Sequence, residues 1–138
     1  MKYLGLDLGS RTLGIATSDA TGMIASSYKT IKHNEEYDML LTEVKKIIEE
    51  LNIDAVVLGF PKNMNNTIGP KGELSIKFKE KLEKIVSTPI YLQDERLSTK
   101  SATDMLISGN VSRKNRKKVV DSIAATIILQ TYLDRRDK

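Results

Sequence analysis

Residues 2–19 read KYLGLDLGSRTLGIATSD. Tyr3, Leu4, Leu6 and Leu8 make an apolar run of strand length that stops at a tight turn, Gly9-Ser10. TLGIATSD, residues 12–19, reads as a second strand returning alongside the first. Asp7 sits inside the first strand, where an unpaired buried charge costs several kcal/mol. The acid therefore either bonds the backbone of the next turn or holds a cation.

Working outward, a turn at residues 21–23 leads into a third strand, MIASSYKTI, residues 23–31. The short turns favour antiparallel hairpins. The period then changes. Leu40, Val44, Ile47, Ile48 and Leu51 recur at helical spacing, which predicts an amphipathic helix over about 35–52. DAVVLGF, residues 54–60, is a continuous apolar run suited to a central parallel strand covered on both faces. PKNMNNTIGPKG, residues 61–72, reads as a loop. Leu74, Phe78, Leu82 and Ile85 mark a second helix, and IYLQ, residues 90–93, a short strand. A helix capped by Ser98 or Thr99 and a last helix over about 117–135 complete the order βββαβαβαα. The fold class is α/β: a mixed five-stranded sheet, three antiparallel strands and then two parallel, flanked by helices.

Bulk properties narrow the chemistry. The 138 residues predict one domain, residues 1–138, with room for a hydrophobic core. Cysteine is absent, which excludes disulfides, zinc-thiolate sites and cysteine nucleophiles. No apolar run reaches the about 18 residues of a membrane span. The N-terminus carries an acid within its apolar part and no small-residue cleavage site, so a cytoplasmic location is expected. The net charge of +4 is modest, but Arg113, Lys114, Arg116, Lys117 and Lys118 concentrate in RKNRKK. That segment reads either as a solvated loop or as an arm that contacts phosphates.

Two further acids stand in unusual places. Glu95 follows the last strand, in QDERLS, and Asp121 lies in the final helix, in VVDSIAAT. Asp121 shares a helix face with Ala124, Ala125 and Ile128, a face small enough to lie close on a sheet. Each acid also has a plain structural reading. Asp7 could close an Asx turn, Glu95 could pair with Arg96, and Asp121 could complement a helix dipole. Together they border one sheet edge, and clustered carboxylates stay ionised only around a cation. Oxygen ligands select a hard ion, Mg2+ or Mn2+, and the chemistry that follows is phosphodiester hydrolysis. His33, the one histidine, lies in the polar stretch KHNEE and reads as a surface residue rather than a general base.

LGLDLGSRTLGIATSD, GFPKNMNNTIGPKG, DERLST and VVDSIAATIILQTYL, taken in order, resemble the YqgF/RuvX family. The resemblance implies a ribonuclease H-like fold related to Holliday junction resolvases, and a nuclease acting in 5′-end maturation of pre-16S rRNA. It places the family's acidic triad on Asp7, Glu95 and Asp121. Gly59, Pro61, Asn63 and Met64 resemble its substrate-facing loop, and Arg96 with Ser98-Thr99 would contact phosphate. Many relatives carry a basic residue followed by Arg after the first glycine turn. Here the pair is Arg11-Thr12, which leaves Arg11 as the phosphate contact.

The partners expected are pre-rRNA, ribosomal precursor particles or branched DNA, with no membrane. A monomer and a homodimer, RNA and a DNA junction, and endo- and exonuclease action all stay open. Two rivals remain. DLGS followed by TLGIATSD also resembles the first phosphate loop of actin-like ATPases and sugar kinases. Those proteins close two such domains on a nucleotide and need a longer chain. A non-catalytic nucleic-acid-binding assembly factor would keep the fold and the basic segment without using the acids.

Overall fold

Alternation along the first strand sorts its side chains onto two faces, and the whole sheet follows that sorting. The structure, a computed structural model, describes residues 1–9, 11–60, 69–94 and 113–136, with backbone alone at 94, 113–122 and 136. The strands are β1 (Tyr3–Leu8), β2 (Thr12–Ser18), β3 (Ala25–Lys32), β4 (Ala55–Phe60) and β5 (Ile90–Asp94). The helices are α1 (Tyr37–Leu51), α2 (Pro70–Glu83) and α3 (Arg113–Arg136). The sheet order is β3-β2-β1-β4-β5. β1 pairs antiparallel with β2, and β2 with β3. β1–β4 and β4–β5 are parallel. The expected mixed sheet is thus the one observed.

Leu4, Leu6 and Leu8 join Leu13, Ile15, Val56 and Leu58 on one face, beneath Leu40, Val44 and Ile48 of α1 and Phe78 and Leu82 of α2. Burying one such side chain contributes about 1.5–3 kcal/mol, so this face supplies much of the stability. Tyr3, Ala16, Ala55 and Val57 point the other way, into Ala125, Ile128, Leu129 and Leu133 of α3.

The helix ends follow from local chemistry. Asn52 ends α1 in the left-handed conformation, φ 54°, and its N–H donates to the Ile48 carbonyl. Pro70 opens α2 at its first turn, where a missing N–H costs nothing. That start corrects the expected loop over 61–72, which ends earlier, and Ile85 falls beyond the helix, 40% exposed. The third strand begins at Ala25 rather than at residue 23.

A larger correction concerns the basic segment. Residues 113–118 are the first turns of α3 rather than a loop. Lysine and arginine are good helix formers, so a dense run of them extends a helix as readily as it makes a loop. The helix expected after Ser98 or Thr99 lies outside the described residues. Among the described residues no helix is long and apolar enough to cross a membrane.

Candidate active site

The site is built where the α3 face of the sheet stops being filled. Gly5 marks the closest approach of helix to strand. A Cβ there would lie 2.7 Å from Leu129 Cβ and 3.1 Å from the Ala125 carbonyl oxygen. At the start of β1, the Tyr3 ring meets Tyr132 at 6.0 Å between centroids. Moving along β1 from Tyr3 to Gly5, the helix partner moves back from Tyr132 to Leu129 and Ala125. α3 therefore runs antiparallel to β1.

That direction fixes the next step. Asp7 lies two residues beyond Gly5 on the same face, about 6.6 Å along the strand. Asp121 lies one turn before Ala125, about 6 Å along the helix. The two steps are of matching length along antiparallel axes. Asp121 also stands well inside α3, whose first turn holds no acid, which removes the helix-dipole reading of this residue.

Asp7 is half-buried and pairs across β2 with Gly14. Leu6 pairs with Leu58, so Asp7 and Gly59 are the next residues on the two parallel strands. Gly59 in turn pairs with the buried Gln93. The row around Asp7 thus runs glycine, aspartate, glycine, glutamine. A glycine on each side adds no side chain to crowd the carboxylate. In the adjoining row Ala16 and Val57 are instead packed into the α3 core. The last pair of the β4–β5 ladder is Phe60 with Asp94, at the same end of the sheet as Asp7.

Glu95 follows Asp94 directly in the chain and lies outside the described residues, as do Ser10, Pro61, Asn63, Met64, Arg96, Ser98 and Thr99. Of the three acids, then, the structure describes the side chain of Asp7 and the backbone of Asp121, and it brings the end of β5 to the sheet edge that carries Asp7. The donor chemistry suits a hard cation. Carboxylates are the candidates, and cysteine is absent from the chain. Among the described residues no group of three or more acids, histidines or cysteines forms a complete metal cluster.

His33 corrects the sequence reading. It is half-buried rather than a plain surface residue. Its Nε2 lies 2.9 Å from the Gly9 carbonyl, so that nitrogen carries the hydrogen and donates. Its backbone N–H donates to the Arg11 carbonyl at 2.9 Å. Its ring edge meets Tyr37 with centroids 5.4 Å apart. Nδ1 is buried and has no hydrogen-bond partner among the described residues. Next to it, Asn34 Oδ1 accepts from Arg11 Nη1 at 2.9 Å. The turn after Asp7 is therefore tied to the corner between β3 and α1. These hydrogen bonds span 24 and 23 residues of sequence, which is why no local pattern announces them.

The chain resembles known proteins along nearly its whole length. The family model for RuvX, described as a Holliday junction resolvase, matches residues 1–135. A Bacillus subtilis (strain 168) protein named "Putative pre-16S rRNA nuclease" is 53% identical over 135 residues, covering 97% of this chain and 98% of its own. Among solved structures, T. thermophilus RuvC in complex with a Holliday junction substrate superposes with a TM-score of 0.64 at 15% identity. That match covers 99% of this chain and 96% of the other. The fowlpox virus resolvase in complex with Holliday junction DNA gives 0.62 at 17% identity, with both chains fully covered. At such identities the likeness is one of fold, and the fold is ribonuclease H-like.

Proposed function

The chain belongs to the RuvX family, and from that premise we propose that it is a divalent-metal-dependent nuclease maturing the 5′ end of pre-16S rRNA. Nuclease action on nucleic acid is common to the names of its relatives and the family description. What supports the finer reading is the close approach of antiparallel α3 to β1 at Gly5, with Asp7 two residues on along the strand and Asp121 one turn before Ala125 on the helix, at the sheet edge where β5 leads into Glu95.

Asp7, Glu95 and Asp121 would hold Mg2+ or Mn2+, with Asp7 the principal ligand. When bound, the ion supplies Lewis acidity at the phosphoryl oxygen and stabilises the charge that builds there. Glu95, or a water bound to one of the ligands, would take the proton of the attacking water as its oxygen bonds to phosphorus and the bond to the leaving ribose oxygen breaks. Arg11, Asn63, Arg96 and the cations at Arg113, Lys114, Arg116, Lys117 and Lys118 hold the flanking backbone. The last five enter on the helix that carries Asp121, so phosphate binding and the acid are joined by one rigid element. The protein would work in the cytoplasm, on ribosomal precursor particles, as one domain with one site.

The second reading, resolution of branched DNA, is favoured by the fold shared with two junction-bound resolvases. It would require two copies related by symmetry, one for each strand cut.

The test incubates the purified protein with labelled small-subunit rRNA precursor and, separately, with a four-way DNA junction, in Mg2+ or Mn2+. Asp121→Asn is the control. Metal-dependent cutting of the RNA alone, lost in the variant, is the expected result. Cutting of the junction alone moves the function to recombination. Binding without cutting of either makes the protein an assembly factor.

A further inference from the structure

We infer that His33 and Asn34 form a positioning clamp that presents Arg11 to substrate phosphate, an assignment that rests on the nuclease reading above. Arginine's long side chain has many rotamers, and a bound phosphate must overcome that entropy unless the protein has done so beforehand. Arg11 is exposed, and its far end is restrained from the β3–α1 corner. Asn34 Oδ1 takes one hydrogen of Arg11 Nη1. A guanidinium has five N–H donors, so four remain to reach a phosphate.

The backbone beneath is held as well. The Arg11 carbonyl accepts from the His33 N–H, and the Gly9 carbonyl accepts from His33 Nε2. The Gly9 N–H is already used on the Thr12 carbonyl at 2.8 Å. The turn is thus bonded on both sides, and it begins two residues after Asp7. The buried Nδ1, partnerless among the described residues, gives His33 one preferred arrangement, with the hydrogen on Nε2, because a hydrogen on Nδ1 would have no acceptor. Asn34 aims the guanidinium and His33 holds the turn from which it grows. Neither touches the reacting atoms, so both are positioning residues.

The experiment has two arms. Without substrate, NMR relaxation of the Arg11 side-chain Nε–Hε group is compared in the unmutated protein and in Asn34→Ala. The clamp predicts an ordered group that becomes mobile in the variant, and equal mobility in both overturns it. With substrate, steady-state cleavage of the RNA precursor is measured for Asn34→Ala, Asn34→Asp, His33→Ala and His33→Gln. Asn34→Ala is expected to raise KM roughly three- to tenfold with kcat little changed, because what it removes is pre-organisation. Asn34→Asp keeps Arg11 ordered but adds a charge that competes with phosphate, so KM rises while order is retained. His33→Gln can still donate to Gly9 and should recover much of what His33→Ala loses. Loosening of Arg11 with KM unmoved overturns the role. An unmutated protein that neither binds nor cuts overturns both the clamp's role and the nuclease reading. That outcome is told apart because it appears before any substitution is made.

Discussion

The two faces of the sheet are built from the same strands and do different things. Beneath α1 and α2 the leucines of β1 run unbroken from Leu4 to Leu8, and every position is filled. Beneath α3 the same strand offers Tyr3, then Gly5, then Asp7. Its side chains shrink as the helix approaches and end in a charge. The first face maximises apolar burial. The second gives up side-chain volume at Gly5 so that a helix can come close to the strand that carries Asp7. Stability and chemistry are thus separated by strand alternation, one residue apart in sequence.

The sharpest way to break this contrast is to alter neighbours that point opposite ways. Asp7→Asn should reduce cleavage to background while the melting temperature changes little, since the amide keeps the size of the side chain and an oxygen that accepts hydrogen bonds. Leu6→Ala, next to it, should lower stability by about 2–5 kcal/mol. Its folded fraction should retain cleavage. Paired melting curves and cleavage assays on both variants make the test. An Asp7→Asn protein that cuts normally would put the chemistry elsewhere.

Gly5→Val probes the closeness of α3 directly. The new Cβ meets Leu129 Cβ at 2.7 Å and the Ala125 carbonyl at 3.1 Å, so the helix must shift. Overpacking of this kind costs about 1–3 kcal/mol. Because the displaced helix also carries Asp121, cleavage should fall further than the loss of folded protein explains. Denaturation measured alongside activity per folded molecule separates the two effects. Loss of stability alone would mean that α3 is only a cover.

How far this contrast is legible in the sequence depends on distance along the chain. The strands, the leucine face and the Asp121 stripe follow from alternation and helical spacing within short windows, and the antiparallel pairing of the first three strands follows from the short turns between them. The basic segment misleads because charge density signals solvation but does not choose between loop and helix. The start of α2 is hidden although Pro70 marks it, because the surrounding asparagines and glycines read as loop. The role of His33 has no local signal at all. Its partners, Gly9 and the Arg11 backbone, are brought to it only when β2 and β3 pair. Gly5 fixes the direction of α3 against β1, which no local pattern gives.

A smaller effect is expected from the cations at the start of α3. Replacing Arg113 and Lys117 together by Gln should weaken nucleic-acid binding and flatten its salt dependence. For every phosphate no longer neutralised, the log–log slope falls by about 0.7–0.9. Titrating binding against salt in the Asp7→Asn background, where no substrate is consumed, reads this directly. An unchanged slope would remove these residues from the interface and leave the α3 face with its acids alone.

The smallest effect lies at the opposite end of the sheet, where an aspartate has a structural role. Asp19 follows β2 and accepts from the Thr21 hydroxyl at 2.7 Å and from the Met23 and Ile24 N–H groups at 2.9 and 3.2 Å. The Thr21 hydroxyl, and after it the two N–H groups, hold its pKa below the ordinary 3.8. A carboxylate that is more acidic when folded stabilises the fold fully above its unfolded pKa. That contribution fades as pH falls below 3.8 through the lower folded value. Asp19→Ala should therefore melt slightly below the unmutated protein at neutral pH, and the gap should close in acid. Cleavage at neutral pH should be unchanged. The effect is small because the carboxylate is exposed and water competes for it. Melting temperatures of both proteins across this pH range, with an NMR titration of the Asp19 carboxyl, check the sign. A gap that persists in acid would show that Asp19 acts through shape rather than charge. A loss of cleavage at neutral pH would break the separation between the two ends of the sheet, since an acid that only closes a hairpin has no route to Asp7 except through the paired strands β1 and β2.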